Sequence, residues 1–288
     1  MNVAKKMAAK FKLALIQLHV TADKKSNVER ALKLIETAKC NGAKLVALPE
    51  CFNSPYGTEH FAAYAEEVPC GETCKALSNA AKENEIYVVG GTIPERHLDG
   101  KLYNTCTVWC PQGNLIATHR KVHLFDIHLP GKIAFKESSV LAPGECLTTF
   151  EVDKVKIGVG ICFDVRFSEM AQVYRNQGCK MLIYPGAFNM RTGPLHWELL
   201  HRARSVDCQS FVAAISPARD ASAGYVAYGH SFLIDPWGKI LTEAQDKEEI
   251  LYGEFDEKAV DDFREQIPVY KQRRTDVYET ISKRPVAE

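Results

Sequence analysis

VKIGVGICFDVRF, at residues 155–167, is the stretch that decides the fold. Its apolar residues Ile157, Val159 and Ile161 alternate with two glycines, which predicts a buried strand whose backbone lies close to a neighbour. The strand ends on Cys162, and residues at helical spacing begin at Phe167. A cysteine at such a turn faces outward near the positive end of a helix, which favours the thiolate. Cys162 is therefore a candidate nucleophile, and a buried structural cysteine is the alternative.

The rest of the chain alternates predicted strands and helices around this stretch. Apolar runs predict strands at 11–18, 44–48, 86–93, 103–109, 115–119, 148–152, 180–184, 211–216, 231–234, 240–241 and 249–255. Helical spacing predicts helices at 26–41, with Ser26 or Asn27 as N-cap, and at 71–84 and 194–206, while 121–144 is expected to be a long loop. This order is typical of a mixed sheet layered with helices. No linker interrupts it, so we expect a single domain over residues 1–288.

Composition excludes several classes of protein. The 36 basic and 36 acidic residues cancel without a long like-charged block, so nothing indicates nucleic acid as a partner. No apolar run approaches the ~20 residues of a membrane span, so no membrane association is expected. The ten cysteines are scattered and include no CxxC pair, which indicates reduced thiols and no zinc site. We expect a cytoplasmic protein; the lysines of residues 1–12 make a mitochondrial location a weaker alternative.

Three polar residues follow predicted strands, at the ends where open α/β sheets place their ligands. Glu50 follows KLVALP, Lys121 follows LIATHR, and Cys162 follows KIGVGI. Each residue also has a simpler explanation when it is considered alone: Glu50 as a surface acid, Lys121 as a solvated cation and Cys162 as a core thiol. Together they form a chemical set in which a thiolate attacks a carbonyl, a carboxylate moves the proton and a lysine stabilises the oxyanion.

Other ligand-binding motifs fit poorly. Residues 158–163 begin like the dinucleotide fingerprint GxGxxG, but Phe163 replaces the third glycine and no acid lies about 20 residues on. The P-loop, GxSxG and HExxH motifs do not occur. His119 and His123 stand four residues apart, but their segment leaves a strand for a loop, which disfavours a metal site.

Six segments in register resemble the nitrilase superfamily of carbon–nitrogen hydrolases, from about residue 11 to residue 278. They are LPECFNSPYG (48–57), HRKVHLFDI (119–127), GICFDVRF (160–167), YPGAFN (184–189), HWELLHRARSVD (196–207) and YGHSFLIDPWG (228–238). NSPYG, with HLFDI, PGK and FKES between 123 and 139, is similar to the omega-amidase branch. The resemblance implies a nitrilase-like four-layer α-β-β-α sandwich that forms a homodimer through the sheet layers. It also implies a triad of Glu50, Lys121 and Cys162 with a second glutamate, Glu137, and no metal or organic cofactor.

For function, the resemblance implies hydrolysis of the terminal amide of a small dicarboxylic acid monoamide, of the 2-oxoglutaramate or 2-oxosuccinamate type. A cysteine thioester would be the intermediate. The residues expected at the substrate are Tyr56, Phe163, Arg166, Phe188, Asn189 and Arg191. Tyr56 is the first choice for holding the substrate carboxylate, and an ion pair with Asp164 or Glu169 is the alternative role for Arg166. Two other functions stay open: an amidase of the same superfamily for nitriles, carbamoyl amines or deaminated peptide amides, and a non-catalytic thiol scaffold.

Overall fold

The computed structural model describes residues 8–129 and 133–287 of the chain. Its strands are β1 (Lys10–Gln17), β2 (Leu45–Ala47), β3 (Tyr87–Val89), β4 (Ile93–Arg96), β5 (Leu102–Trp109), β6 (Leu115–Arg120), β7 (Asp126–Leu129), β8 (Ile133–Lys136), β9 (Thr148–Val152), β10 (Val155–Val159), β11 (Met181–Pro185), β12 (Phe211–Ile215), β13 (Phe232–Ile234), β14 (Ile240–Glu243) and β15 (Glu249–Asp256). Its helices are α1 (Lys24–Cys40), α2 (Thr58–Tyr64), α3 (Glu72–Glu83), α4 (Ser168–Asn176), α5 (Gly193–Cys208), α6 (Glu257–Gln266) and α7 (Val269–Gln272).

The strands form two large mixed sheets and one small hairpin. One sheet has the order β15-β1-β2-β3-β5-β4, with β6 paired to β5, and the other has the order β14-β13-β12-β11-β10-β9. In each sheet the central strands are parallel, β1 to β2 and β3, and β10 to β11 and β12. Parallel strands place their carboxyl ends at one edge of their own sheet, so the residues that follow β2 and β10 lie at the ligand-binding edges of the two sheets.

The side chains of β1 explain the layering. Leu13 and Leu15 belong to the core that includes the second sheet, whereas Ala14 and Ile16 belong to the core under α1 and α3. Successive strand residues point to opposite faces, so a strand that is apolar on both faces must be covered on both sides. The second sheet is covered in turn by α4 and α5, whose Tyr174 and Trp197 join its core. The expected four-layer α-β-β-α sandwich is thus confirmed.

Several local predictions were wrong. The cap of α1 is Asp23, whose carboxylate accepts a hydrogen bond from the Ser26 N–H at 3.1 Å, because the helix begins one turn earlier than its apolar residues indicate. The strand expected at 86–93 is two strands, β3 and β4, interrupted at Gly90 and Gly91. The loop expected at 121–144 contains the antiparallel hairpin of β7 and β8 and a short 3₁₀ helix at Glu137–Ser139. Helices α2, α6 and α7 were not predicted.

Two findings bear on the classes considered above. All ten cysteines are free thiols, as their scattered positions predicted. Of the helices within the described residues, none combines the length and the apolar character needed to cross a membrane. The first seven residues and the PGK segment at 130–132, both used in the sequence analysis, lie outside the described residues.

Candidate active site

Cys162 lies at a sharp turn between β10 and α4. It opens the 3₁₀ helix Cys162–Arg166, and its backbone φ of +48° is in the left-handed region, which is unfavourable for a residue with a side chain. The turn packs closely on the end of β11, since a Cβ added to Gly186 would lie 3.1 Å from the Cys162 Cα. Cys162 is 4% exposed and belongs to the hydrophobic core of the second sheet, so its thiol is buried and does not face outward as the sequence indicated.

Glu50 lies at the matching end of β2, in a loop fixed by a glycine. Gly91 has a φ of +57°, and a Cβ there would lie 2.2 Å from the carbonyl oxygen of Pro49, so the two backbones can approach only at a glycine. Thr92 completes the contact: its N–H donates to the Pro49 carbonyl at 3.1 Å, and its hydroxyl accepts from the Cys51 N–H at 2.8 Å. The break between β3 and β4 therefore positions the loop that carries Glu50.

Glu50, Lys121 and Glu137 form a buried hydrogen-bonded group. The Lys121 ammonium donates to Glu50 Oε1 at 3.0 Å and to Glu137 Oε1 at 2.9 Å, and all three side chains are 0% exposed. Lys121 reaches this position because its segment follows β6, and its own N–H donates to the Asn104 carbonyl at 2.8 Å. One cation thus lies between two carboxylates that come from distant parts of the sequence.

The Glu50 carboxylate has further partners that were not anticipated. Oε1 also accepts from the side-chain amide of Asn104 at 2.8 Å, and Oε2 accepts from the Ala187 N–H at 2.8 Å. Cys162 lies beside the same carboxylate and within reach of the Ala187 N–H. The structure therefore brings together the four residues expected to be catalytic, because Glu50 contacts both Lys121 and Cys162.

Burial and the neighbouring charges set the protonation states here. Burial raises the pKa of Glu50, an effect that Lys121 opposes without cancelling. Burial alone would lower the pKa of Lys121, but the two carboxylates raise it well above its ordinary value, so the amine stays charged. The raised pKa makes Glu50 a stronger base beside a charged lysine, which suits a general base.

The protonation state of Cys162 differs from the expectation. Burial, together with the charge of Glu50, raises the pKa of the thiol well above its ordinary value. The turn that follows Cys162 is a single 3₁₀ turn, and its positive end does not outweigh the adjacent carboxylate. Cys162 is therefore a neutral thiol beside the Glu50 carboxylate, and not the thiolate that its position near a helix start predicted.

Asp164 joins the segments of Lys121 and Cys162. Its carboxylate accepts from the Ile161 N–H at 2.9 Å and from the His123 N–H at 2.9 Å, and the ring nitrogens of His119 and His123 lie 3.5 and 2.7 Å from it. Burial would raise the pKa of Asp164, but these hydrogen bonds lower it overall. The two histidines considered as metal ligands therefore bind a carboxylate, and no group of three His, Cys, Asp or Glu residues in the described chain is arranged to hold a metal ion.

The residues expected at the substrate divide into two sets. Phe163 and Phe188 lie beside Arg166, whose guanidinium carbon is 5.4 and 5.0 Å from their ring centres. The Tyr56 hydroxyl donates to Glu137 Oε1 at 2.8 Å, so it is already engaged. By contrast, the Asn189 side chain closes the turn before α5 by accepting from two backbone N–H groups, and Arg191 is exposed on that turn.

Arg166 is not in the ion pair considered for it. Asp164 is occupied by the contacts above, and within the described residues no carboxylate lies within ion-pair distance of the guanidinium. Its one polar contact there is the His196 ring nitrogen, 3.3 Å from Nη1, while the buried Nε has no partner. Burial lowers the pKa of Arg166, and nearby Cys162 opposes this effect. A half-buried cation with a free donor near the nucleophile is suited to an anionic ligand.

A cavity of about 370 Å³ opens onto the base. Glu50 and Ala187 line it from below, and Tyr56 and Tyr225 form an aromatic wall with ring centres 4.4 Å apart. The Tyr225 hydroxyl donates to the Ala187 carbonyl at 2.6 Å. Sequence reasoning did not single out Asn104, Ala187 or Tyr225. Asn104 and Ala187 contact Glu50 from distant segments, Ala187 does so through its backbone N–H, and Tyr225 is connected to Glu50 only through Ala187.

Comparison with known proteins identifies the family of this chain. The family profile described as Carbon-nitrogen hydrolase matches residues 12–265. The mouse protein Omega-amidase NIT2 is 55% identical over 275 residues, covering 96% of this chain and 99% of its own, and the human protein of that name is 53% identical over 275 residues with the same coverage. The crystal structure of Saccharomyces cerevisiae Nit3, described as a member of branch 10 of the nitrilase superfamily, superposes with a TM-score of 0.86 at 45% identity, covering 94% of this chain and 99% of that one. This chain belongs to the carbon–nitrogen hydrolases of the nitrilase superfamily.

Proposed function

We propose that this protein is an omega-amidase, which hydrolyses the terminal amide of small dicarboxylic acid monoamides to the dicarboxylate and ammonia. The observation that carries the proposal is the buried contact of Glu50 with both Lys121 and Cys162. The names of the mouse and human relatives support the choice of substrate class. The reaction needs a nucleophile, a base and an oxyanion donor, and these three residues supply them.

In the first half of the reaction, Glu50 takes the proton of the Cys162 thiol while the sulfur attacks the amide carbon. A carbon–sulfur bond forms, and the negative charge moves to the carbonyl oxygen. The Lys121 ammonium and the Phe163 N–H stabilise that oxyanion. Glu50 then gives its proton to the amide nitrogen, the carbon–nitrogen bond breaks, and ammonia leaves a thioester on Cys162.

In the second half, the same carboxylate removes a proton from a water molecule that attacks the thioester. Collapse of the second oxyanion releases the acid and returns the proton to the sulfur. Glu137 acts through Lys121: it fixes the ammonium by the 2.9 Å hydrogen bond and is itself held by the Phe125 N–H at 2.6 Å. Glu137 is therefore a positioning residue in this mechanism.

For the substrate carboxylate, Arg166 is a better anchor than Tyr56 or Arg191. The Tyr56 hydroxyl is used by Glu137, and Arg191 is exposed on the turn before α5. Arg166 has a buried Nε without a partner and lies four residues after Cys162, between the rings of Phe163 and Phe188. A guanidinium can hold a carboxylate by two parallel hydrogen bonds, which would orient the distal amide toward the thiol.

Replacing Arg166 by Gln should therefore weaken use of acid amides selectively. Losing a charge-assisted pair typically costs ~1.5–3 kcal/mol, so kcat/KM for succinamate should fall roughly 10- to 100-fold, mainly through KM. The neutral butyramide, which has no carboxylate to anchor, should be used as well as before. Arg191→Gln is the matched control and should leave both substrates unaffected. An unchanged KM for succinamate in Arg166→Gln would place the anchor elsewhere.

A substrate panel tests the function itself. Ammonia release should be fastest with succinamate, glutaramate and their 2-oxo analogues, and slower with nitriles, carbamoyl amines and deaminated peptide amides. Added hydroxylamine should convert part of the product to the hydroxamate, since it intercepts the thioester. Preference for a carbamoyl amine or a deaminated peptide would indicate a different amidase, and no turnover of any compound would favour a thiol scaffold.

We also propose that the protein is a single-domain chain. We further propose that it forms a homodimer, with the interface at α5 rather than at the sheet layers. Leu195, Leu199 and Val206 lie on one side of this helix and are 66%, 64% and 45% exposed, while Trp197 and Cys208 on its other side are buried. An exposed apolar strip of this kind is typical of an interface. Sedimentation velocity should give twice the chain mass, and Leu199→Glu should shift the protein toward monomer. A monomeric wild-type protein would contradict the proposal.

A further inference from the structure

Tyr225 lies where the long connection between β12 and β13 crosses the active site. Its side chain is half-buried and lines the cavity beside Tyr56. It is also close enough to Cys162 and Glu50 for their charges to raise its pKa, in addition to the larger effect of burial. This residue belongs neither to the triad nor to the residues expected at the substrate.

A chain of two hydrogen bonds connects Tyr225 to the base. The phenol donates to the Ala187 carbonyl at 2.6 Å, and the Ala187 N–H donates to Glu50 Oε2 at 2.8 Å. Ala187 is buried and follows Gly186 directly after β11. We propose that Tyr225 is a positioning residue for the Glu50 carboxylate, acting through the backbone of Ala187. The inference rests on the proposed role of Glu50 as the base.

The expected consequence concerns the ionisation of Glu50. An N–H bond to a carboxylate stabilises its charged form, so loosening the Ala187 bond should raise the pKa of Glu50 further. Other titratable groups also surround Glu50: Lys121, Glu137, Cys162, Cys51 and Tyr56. All of them are kept in a Tyr225 variant. A change in the acid limb of activity would therefore report on the Ala187 contact.

The test compares Tyr225→Phe with Tyr64→Phe. Tyr64 is a matched control, because its hydroxyl also donates to an alanine carbonyl at 2.6 Å, that of Ala22, and neither residue is hydrogen-bonded to Glu50 or to Ala187. For Tyr225→Phe, the acid limb of the pH profile of kcat/KM for succinamate should move up by roughly half a pH unit, the size expected for a weakened neutral hydrogen bond. At pH values below the pKa that sets this limb, kcat/KM should then be about threefold lower than in the wild type, and at pH values above it the two should be close. Tyr64→Phe should match the wild type throughout.

Two outcomes would overturn the inference. A uniform loss at every pH would mean that the phenol only supports the loop, and an unchanged profile would mean that it has no role. Should the wild type release no ammonia from any amide, the proposed function fails separately. The pH dependence of Cys162 alkylation by iodoacetamide then provides the readout, because Glu50 accepts the thiol proton without turnover. The inference is supported if the acid limb of the alkylation profile moves to higher pH in Tyr225→Phe and not in Tyr64→Phe. It is contradicted if the profiles of both variants and the wild type superimpose.

Discussion

Cys162→Ala should abolish ammonia release while leaving the fold intact. Removing a covalent nucleophile typically costs ~10⁴-fold or more in kcat, since no other group can form the intermediate. The thiol is 4% exposed, and alanine removes one atom without changing the backbone preference at the left-handed position. The thermal midpoint should therefore stay within a few degrees of wild type. Ammonia release and thermal unfolding followed by circular dichroism measure the two quantities.

Cys208→Ala is the matched control for this variant. Cys208 is also fully buried, at the end of α5, but it lies outside the group around Glu50. The same chemical change there should preserve turnover. More than about 1% residual ammonia release by Cys162→Ala, or a loss in Cys208→Ala without unfolding, would contradict the assignment of the nucleophile.

Much of this site was predictable because its parts obey local rules. The alternating stretch before Cys162 predicts a buried parallel strand, and polar residues at the carboxyl ends of such strands meet at one edge. Glu50 and Cys162 follow that rule, whereas Lys121 follows β6, which is antiparallel to β5; the structure brings all three together. Glu137 was indicated only by family resemblance, since nothing in its own segment predicts a buried carboxylate.

What the sequence could not predict depends on contacts between distant backbone segments. The Ala187 N–H is bound to Glu50, 137 residues away, and any residue except proline could donate that bond. The β7 and β8 hairpin has four-residue strands too short for their alternation to be recognised. Asp164 was considered only as a partner for Arg166, because its actual partners lie in the segment after β6.

Lys121→Met should have the second large effect, on both rate and stability. Losing one preorganised oxyanion donor typically costs ~10²–10³ in kcat, with a smaller effect on substrate binding. The substitution also leaves the buried carboxylates of Glu50 and Glu137 without their shared cation. Breaking a buried pair in this way costs about 3–5 kcal/mol, so the free energy of unfolding should fall markedly.

The stability loss should depend on pH with a definite sign. Lys121 lowers the pKa of Glu50 against the larger effect of burial, so the variant raises that pKa further above its unfolded value. A carboxyl group with a raised pKa binds a proton on folding, so its folded state loses stability as pH rises from the unfolded pKa through the folded one. Urea unfolding should therefore find a larger deficit at pH 8 than at pH 5.

A double variant separates the two effects of Lys121. Lys121→Met with Glu137→Gln removes one of the two uncompensated carboxylates while keeping the shape of the site. It should recover part of the unfolding free energy at pH 8, because one buried charge fewer must be desolvated, and its kcat should remain low, because the oxyanion donor is still missing. A normal kcat with only a raised KM in Lys121→Met would show that the ammonium binds the ground state. If the double variant is no more stable than Lys121→Met, the buried negative charge of Glu137 is not compensated by Lys121.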